Sequence, residues 1–584
     1  MKKTIMAVSA LLIFVQGWAQ QGDGDLNREL DVTREYEPTV NSAVKLGIKP
    51  NMVDTASLRV DVDYEITPDP IQYRSEVTPI KPVSVSVDNL HEELPFYIKA
   101  GLGVPFQSVL DANISSIRNL NGKWGLYVNH YGSWSKRKNY DGLKTPGSQT
   151  FNTVGVFGEH RFGRFGIGGE IGFDYDKISR YGYSSSWAES VYGESATDLF
   201  DASANALRQN YSTVRGKIVF GHSFEDLSRF NIRFGAEGYY FSDRYDAKEA
   251  HVNAFLDLGK RFGIHEITLH ADYDLYQGSG LLDEYKNSMF SIRPMYRVRG
   301  GTFDIALGVT YVAVMDDFTY ADEGDGQSAS VLFPLFDLKW KIAKGFTPYL
   351  KLDGRQDNYG YRNTTLWNPY VLQGFVGRNT SVNDARIGIQ GSSASSFSYN
   401  VYGGFSRYLN MNYAQNYYYQ ATDGTPVYQG NVFVLAQRDV TMWTVGGEVV
   451  GRISGKFGME LGVQYKGYRV KEVDGVKARL GLPALTARLA LNYNYRDKLL
   501  LKAGADVYGP RDFEMLFTSY THPSEVVYGH DNMQVDVHLG AEYNFSKNFG
   551  IFVEGRNLAN QSLYYYNQYK ALGINFLAGV KIQF

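Results

Sequence analysis

Hydrophobic and polar residues alternate along most of the chain from Phe96 to the C-terminus. In Met533–Phe545 the odd-numbered positions are apolar or aromatic, and the even-numbered positions carry Gln, Asp, His, Gly, Glu and Asn. Leu485–Tyr495 alternates in a similar way. Successive side chains of a β-strand point to opposite faces. The pattern therefore predicts many strands, each with one apolar face and one polar face.

A transmembrane β-barrel and a soluble β-sandwich both produce this alternation. Three features of the strands favour the barrel: ionisable residues occur at strand centres on the polar face, the apolar faces approach the roughly 9–11 residues that cross a bilayer, and aromatic residues lie near strand ends. Tyr543 and Phe545 are examples of such aromatic residues at an expected membrane interface. A large transmembrane barrel is therefore the predicted fold class, all-β and antiparallel.

Short turns alternate with long connections along the chain, as in outer-membrane barrels with short periplasmic turns and long outer loops. The predicted short turns are Asn119–Gly122, Arg161–Arg164, Glu225–Ser228, Lys260–Gly263, Arg299–Gly301, Ala343–Gly345, Ser392–Ser396, Ser454–Lys456, Arg496–Lys498 and Ser546–Asn548. Longer stretches lie between them, near 136–149, 177–208, 277–286, 315–327, 355–382, 409–437, 470–483, 508–531 and 559–573, with brief exceptions near Val104-Pro105 and Asp243–Asp246. Ten turns and eleven outward connections predict about 22 strands, with both chain ends in the periplasm.

The first 95 residues differ from this pattern. Lys2 and Lys3, the apolar run Ile5–Val15 and the small residues Gly17 and Ala19 predict a signal peptide over 1–19, cleaved before residue 20. Residues 20–95 contain seven of the 17 prolines of the chain. Proline removes a backbone donor and disfavours helix before it, so we expect a mostly extended periplasmic or lumenal segment. The barrel itself is predicted over 96–584.

The last strand, Ile574–Phe584, alternates again and ends in an aromatic residue. Together with Asn557–Asn560 and Tyr564–Tyr566, it resembles the C-terminal end of TonB-dependent receptors, whose barrels also have 22 strands. The resemblance implies an outer-membrane receptor or transporter that takes up a ligand through its outer loops and lumen. It also implies that Phe584 is the signal read by the outer-membrane assembly machinery, and that outer-membrane lipid surrounds the barrel.

Members of this family carry a globular plug before the barrel. Residues 20–95 are too short and too rich in proline for that domain, so the chain resembles a barrel of the family without its usual plug. Leu30–Arg34 lies where the family keeps the short segment that contacts TonB. The resemblance implies that Asp31, Val32 and Thr33 make this contact, which strand addition would suit; an ordinary extended segment is the alternative.

Composition removes several classes of function. The formal net charge of -3 gives no basic face for nucleic acid. The chain has no Cys, which excludes disulfides, thiolate zinc sites and a Cys nucleophile. His265 and His270 are five residues apart on a strand, so they lack the spacing of a zinc-protease helix. With no catalytic motif, we predict that the protein is not an enzyme and has no cofactor; the acidic residues near 316–325 are expected to be solvated rather than to bind Ca²⁺.

Aromatic side chains in the outer connections are the candidate ligand-binding or partner-binding residues, because amphipathic rings suit such surfaces. They are Trp367, Tyr370, Tyr413, Tyr417, Tyr418, Tyr419, Tyr564, Tyr565 and Tyr566, with Tyr569 nearby. An interfacial girdle and packing of the loops on one another are the alternative interpretations. The leading hypothesis for function is a receptor or transporter. The alternatives are a plug-less structural or assembly partner of an envelope complex, with TonB or another envelope protein as partner, and a passive channel.

Overall fold

The computed structural model describes residues 95–116, 122–193, 199–224, 226–316, 329–343, 345–392, 397–454, 456–473, 475–521 and 523–584. The predicted signal peptide, the segment up to residue 94 and the TonB-contact residues Asp31, Val32 and Thr33 lie outside the described residues, as does most of the acidic stretch 316–325.

Twenty-two strands form the wall of a barrel. They are β1 (Phe96–Val104), β2 (Gln107–Ser115), β3 (Gly122–Ser133), β6 (Gln149–Phe162), β7 (Phe165–Ser179), β8 (Arg208–His222), β9 (Asn231–Asp243), β10 (Ala247–Phe262), β11 (His265–Gly280), β12 (Lys286–Arg299), β13 (Phe303–Asp316), β14 (Ala329–Trp340), β15 (Thr347–Asp357), β16 (Thr380–Ser392), β17 (Phe397–Gln420), β18 (Pro426–Ser454), β19 (Phe457–Val470), β20 (Leu485–Tyr495), β21 (Leu499–Tyr508), β24 (Gln534–Asn544), β25 (Phe549–Arg556) and β28 (Asn575–Gln583). The outer connections add β4 (Arg137–Lys138), β5 (Lys144–Thr145), β22 (Arg511–Ser519), β23 (Glu525–Asp531), β26 (Tyr564–Tyr566) and β27 (Tyr569–Lys570), and the helices α1 (Ser185–Tyr192) and α2 (Tyr361–Trp367).

The wall closes on itself because β1 pairs with β2 on one side and with β28 on the other, both antiparallel. At the closing point Phe96 N donates to Phe584 O at 2.9 Å, and Phe584 N donates to Phe96 O at 3.0 Å. Their two rings stack with centroids 4.5 Å apart. Closure leaves neither β1 nor β28 as an edge strand, as a barrel in lipid requires. The predicted fold class and the predicted 22 strands are confirmed.

The two faces of the wall match the predicted alternation. On β8, Val214 and Ile218 project outward and are exposed, whereas Arg215 and Lys217 project inward and form ion pairs. Ile171, on the neighbouring β7, is 70 % exposed on the outer surface. A closed barrel with an apolar outer face is built for a bilayer, and this protein is a bacterial outer-membrane barrel. None of the helices in the described part of the chain is long and apolar enough to cross a membrane.

The connections follow the predicted order. The short turns join β2 to β3, β6 to β7 and so on to β24 and β25, at the end of the barrel that holds Phe96 and Phe584. Tyr543 and Phe545 lie exposed at this end, with their rings 5.0 Å apart. The long connections gather at the other end, which is the outer end of the barrel.

One predicted loop is instead an extension of the sheet. The stretch 409–437 was expected to be an outer loop, but β17 continues to Gln420 and β18 begins at Pro426. The pairing of the two strands shifts register between Tyr408 and Met411, where Asn410 has a φ of 57°. The shift marks the point where the hairpin leaves the wall, and beyond it alternation continues and the strands stay paired.

Candidate functional site

The outer end of the barrel is covered by a set of packed connections, which we name the outer cap. It consists of 137–147 with β4 and β5, 180–193 with α1, 358–379 with α2, the hairpin tip 411–437, 511–521 and 523–531 with β22 and β23, and 557–572 with β26 and β27. These pieces come from distant parts of the chain and contact one another through buried aromatic and polar side chains.

Four tyrosines form the centre of the outer cap. The rings of Tyr370 and Tyr569 stack with centroids 3.5 Å apart, and Tyr181 meets Tyr569 edge-on at 5.0 Å. Tyr566 meets Tyr370 edge-on at 5.4 Å. Gln149 on the wall strand β6 donates from Nε2 to the Tyr370 hydroxyl at 2.5 Å, which ties this cluster to the barrel. Aromatic pairs of this kind add about 0.5–1.5 kcal/mol each beyond the burial of their area.

The hairpin tip 411–437 joins the other side of the outer cap. Its residues Asn416–Gln420 pair in parallel with Met515–Ser519 of β22, so one small sheet continues over the mouth of the barrel. The ring of Tyr418 stacks on Phe517 at 4.1 Å, and Gln568 donates to the Tyr418 hydroxyl at 2.8 Å. Strand pairing and ring stacking therefore hold the tip, β22 and the last outer connection together.

Glu514 on β22 is a buried anchor, with 2 % of its surface exposed. Its carboxylate accepts hydrogen bonds from the Tyr413 hydroxyl at 2.9 Å, from Gln415 Nε2 at 2.5 Å and from the backbone N–H of Arg479 at 2.8 Å. A buried carboxylate is stabilised only when donors replace its lost water. Two of the donors belong to the hairpin tip 411–437 and the third to the outer connection between β19 and β20, so Glu514 fixes the positions of both relative to β22.

Glu249 on the wall strand β10 makes a similar attachment for α2. Its fully buried carboxylate accepts the backbone N–H groups of Tyr361 at 2.6 Å and Arg362 at 3.2 Å, which open the helix. The Tyr239 hydroxyl also donates to it at 2.7 Å. The first N–H groups of a helix have no partner within the helix, and Glu249 satisfies two of them from the barrel wall.

A buried ion pair holds the β22–β23 hairpin. The Arg511 guanidinium lies 2.9 Å from the Asp531 carboxylate and also donates to the backbone oxygen of Tyr564. Burial raises the pKa of Asp531, and the neighbouring Arg511 opposes that rise. The pair thus links the hairpin to β26 in the last outer connection.

The aromatic candidates from the sequence are all in the outer cap, but they differ in exposure. Four are buried in packing between loops: Tyr370, Tyr413, Tyr418 and Tyr566. The others are partly accessible: Trp367, Tyr417, Tyr419, Tyr564 and Tyr565. Packing of the loops on one another thus accounts for the first group, and a role of either group in binding a ligand stays a prediction. The C-terminal Phe584 lies exposed at the periplasmic end.

Sequence reasoning missed Tyr181, Glu249 and Glu514, the groups that hold the cap segments together. Each is unremarkable in its local sequence, because Tyr181 follows a wall strand and the two carboxylates occupy alternating strand positions. Their partners lie far away along the chain. Only the polar and aromatic enrichment of the outer connections could have indicated a folded cap.

Beneath the outer cap the lumen is lined by charged side chains in pairs. Arg297 and Asp304 lie 2.6 Å apart, and Lys581 and Glu542 lie 2.5 Å apart. A cavity of about 850 Å³ lies along the wall between β8 and β15. Charged groups of both signs line it, so the lumen has a wet, polar surface suited to a polar solute or headgroup. No group of three or more His, Asp or Glu residues within the described ranges is arranged to hold a metal ion.

The barrel is similar to solved outer-membrane receptors. The FrpB iron transporter from Neisseria meningitidis matches with a TM-score of 0.62 and 10 % identity, over 85 % of this chain and 82 % of that chain. The ferric-catecholate import receptor Fiu from E. coli K12 matches with a TM-score of 0.58 and 10 % identity, over 84 % of this chain and 82 % of that one. The ferripyoverdine receptor of the outer membrane of Pseudomonas aeruginosa matches with a TM-score of 0.57 and 12 % identity, over 84 % and 72 % of the two chains.

These similarities concern the fold. The chain has the 22-stranded barrel of the TonB-dependent receptors, which confirms the resemblance seen in its last strands. No family model matches the sequence, and no curated protein matches it.

Proposed function

We propose that this chain, with the barrel fold of the TonB-dependent receptors, is an outer-membrane receptor and transporter whose outer cap opens to admit a ligand to the lumen. The observation that carries the proposal is the contrast between the two regions of the barrel. Packed connections cover the outer mouth, while a charged cavity of about 850 Å³ remains below them. A passive channel would need an open mouth, because a 22-stranded barrel without an obstruction leaves a wide lumen.

The proposal also assigns partners to the N-terminal segment and to the C-terminal strand. We assign 1–19 to a signal peptide and 20–95 to a periplasmic or lumenal segment in which Asp31, Val32 and Thr33 would add as a strand to TonB. Phe584 would be read by the outer-membrane assembly machinery during insertion. The proposal does not assign a ligand. The first probes are a ferric catecholate and ferripyoverdine, chosen from the receptors that share the fold.

Cross-linking the outer cap tests its role directly, since the chain has no Cys of its own. Tyr419 and Thr518 are paired residues of β17 and β22, so Tyr419→Cys with Thr518→Cys places one disulfide between two cap segments. The matched control is Val473→Cys with Val476→Cys, a bridged pair within a single outer connection. Both variants are produced as full chains, inserted in cell membranes, and assayed for uptake of the two ferric probes and for entry of bacitracin.

Uptake of a probe that stops on oxidation of the Tyr419–Thr518 variant and returns with a reductant supports an opening cap. The control variant should take up the same probe in both redox states. Uptake unaffected by the cap disulfide would overturn the proposal. Steady ion conductance in planar bilayers by both the purified wild-type protein and the oxidised Tyr419–Thr518 variant would also overturn it. In that case the outer cap would not close the pore.

A further inference from the structure

The pairing between β14 and β15 is the shortest in the barrel wall. Only Phe336–Lys339 pair with Tyr349–Leu352, which makes four residue pairs. The next shortest pairing, between β24 and β25, has six. The hairpin turn that joins β14 to β15 is periplasmic, so the paired rungs lie toward the periplasm. The outer parts of the two strands, Ala329–Leu335 and Asp353–Asp357, are not paired with each other, and we name this unpaired stretch the β14–β15 seam.

Pro334 lies in the part of β14 that is not paired with β15. It is aligned with Val309 of β13, and no residue of β15 is aligned with it in the described structure. Proline has no N–H and is found in sheets mainly on edge strands and at bulges. Its presence here means that this position could not donate to β15 even if the strands met.

Side chains replace the missing rungs on β15. The backbone N–H of Gly354 donates to Asp353 Oδ1 at 2.8 Å, and the Gly354 oxygen accepts from Arg293 Nη2 at 3.5 Å. Arg293 comes from β12 and is itself held by a bond from Nε to Thr310 Oγ1 at 2.8 Å. An unsatisfied backbone group in the hydrocarbon region costs several kcal/mol. Both backbone groups of Gly354 therefore have hydrogen-bond partners that are not on β14.

The cavity of about 850 Å³ reaches this seam from the inside, because Leu335 and Asp337 of β14 and Lys351 and Leu352 of β15 are among its lining residues. On the outside, Leu332 of the same stretch of β14 is 42 % exposed on the lipid-facing side. A polar cavity and an apolar outer surface thus meet at a stretch of the wall without strand pairing. Lys351 is aligned with Asp337 of β14, whose carboxylate is paired with Lys339. No carboxylate of the described residues lies within ion-pair distance of the Lys351 ammonium group, so that group can bind an anionic partner.

We propose that the β14–β15 seam is a lateral portal through which an amphiphile with an anionic headgroup and acyl chains passes between the lumen and the outer leaflet. The headgroup would lie in the cavity near Lys351 and Arg293, and the acyl chains would stay beside Leu332. This route goes beyond the proposed function, because it requires no opening of the outer cap.

Photocross-linking tests the portal in the full chain in living cells. A benzoylphenylalanine at Leu335 faces the cavity beside the seam, and one at Ala490 faces the lumen from the long β20–β21 pairing. A third at Leu332 faces lipid and reports correct insertion. The probe is the native membrane lipid, labelled with ³²P for all phosphorylated lipids and with tritiated glycerol for glycerophospholipids, so that the two labels distinguish a phospholipid from a lipid A-type molecule.

We expect lipid adducts at Leu332 and Leu335 and none at Ala490, with the Leu335 adduct falling several-fold when Lys351→Ala is added. Equal adducts at Leu335 and Ala490, or adducts at Leu332 alone, would overturn the portal. The Leu335 adduct should persist when the cap disulfide between positions 419 and 518 is formed. Loss of the Leu335 adduct on forming the cap disulfide would mean that lipid enters through the outer mouth and not through the seam. Failure of the cap mechanism is read from ligand uptake instead, so the two proposals can fail independently.

A second variant measures the seam itself. Leu332 and Gln356 would face each other if the register of Phe336 with Leu352 continued. Leu332→Cys with Gln356→Cys should therefore form a disulfide much more slowly than the control pair Phe336→Cys with Leu352→Cys. Once oxidised, it should remove the Leu335 adduct. Equally fast disulfide formation in the two variants would show a closed wall and overturn the proposal.

Discussion

Tyr370 and Tyr569 lie face to face in the outer cap, with ring centroids 3.5 Å apart and planes inclined by 20°. Both rings are fully buried. The first follows α2 and the second belongs to β27, so their contact joins two connections that are distant in sequence. The closed state of the outer mouth depends on contacts of this kind, which gives the first prediction.

We expect Tyr370→Ala to loosen the outer cap. Loss of a large buried ring costs about 3–5 kcal/mol in well-packed cores, and the wall bond from Gln149 is lost with it. The barrel should still insert, and the variant should show ion current in planar bilayers and faster cleavage of 358–379 by external protease. Tyr520→Ala is the control, because that side chain is 75 % exposed. A tightly closed Tyr370→Ala variant would contradict the role given to this stack.

The buried carboxylate of Glu514 gives the second prediction. Glu514→Ala leaves the donors on Tyr413, Gln415 and Arg479 without an acceptor, and each unsatisfied buried group costs about 1–3 kcal/mol. We expect the hairpin tip 411–437 to become sensitive to protease on whole cells. Glu525→Ala, in the same hairpin but exposed, should leave the cleavage pattern of wild type. Protection of the tip in both variants would be evidence against Glu514 as an anchor.

The third prediction concerns Glu249 and the start of α2. In Glu249→Gln one carboxylate oxygen becomes an amide NH₂ group. This donor then faces the backbone N–H of Tyr361 or of Arg362, which loses its acceptor. We expect faster hydrogen exchange at residues 361–367 with no change in the rest of β10. Glu237→Gln, which removes a half-exposed partner of Lys217 on the lumen wall, is the control. Unchanged exchange in α2 after Glu249→Gln would show that the helix is held by other contacts.

Alkaline pH supplies the fourth prediction. Burial, with the nearby Tyr140 and Asp531, raises the pKa of Tyr564 to about 12, and burial also raises the pKa of Tyr361 and Tyr569 well above the ordinary value of about 10. A raised tyrosine pKa means that the folded cap favours the neutral phenol. This contribution to stability is complete below about pH 10 and is lost as the pH rises through the folded-state pKa.

The outer cap should therefore open at alkaline pH while the wall stays folded. Phenolate absorbance and bilayer conductance are followed together from pH 9 upward. Exposed tyrosines should ionise first, and conductance should rise together with the later phase of absorbance, in which the buried cap tyrosines ionise. Tyr564→Phe should remove only its own share of the absorbance change and leave the transition in place. Phenolate formation completed before any change in conductance would mean that these tyrosines do not hold the cap closed.

Local sequence patterns determine the wall of this barrel well. Alternation in Met533–Phe545 reproduces β24, and the aromatic residues Tyr543 and Phe545 lie at the expected interface. The ten short turns can be predicted because the periplasmic turns of such barrels are short and the outer loops are long. These features depend on neighbouring residues and on the solvent each face meets, so a single sequence is sufficient to find them.

The outer cap could not be predicted in the same way. Tyr418 stacks on Phe517 and Tyr370 on Tyr569, and nothing in the spacing of these residues specifies their partners. The alternation of short turns and long connections predicts a loop over 409–437, whereas β17 extends beyond Asn410 to Gln420. The β14–β15 seam was missed for a related reason, since alternation predicts which residues form a strand but not how many rungs it shares with its neighbour.

The pairing of Phe96 with Phe584 has a consequence for biogenesis. Because these two residues bond to each other, the ring of strands cannot close before both β1 and β28 have reached the membrane. The polypeptide must therefore be kept from collapsing throughout its journey, and clipping even a few C-terminal residues should stall maturation. By the same logic, a circular permutant of 96–584 that joins Phe584 to Phe96 and starts at an opposite periplasmic turn should preserve the mature architecture while altering the order in which it is completed.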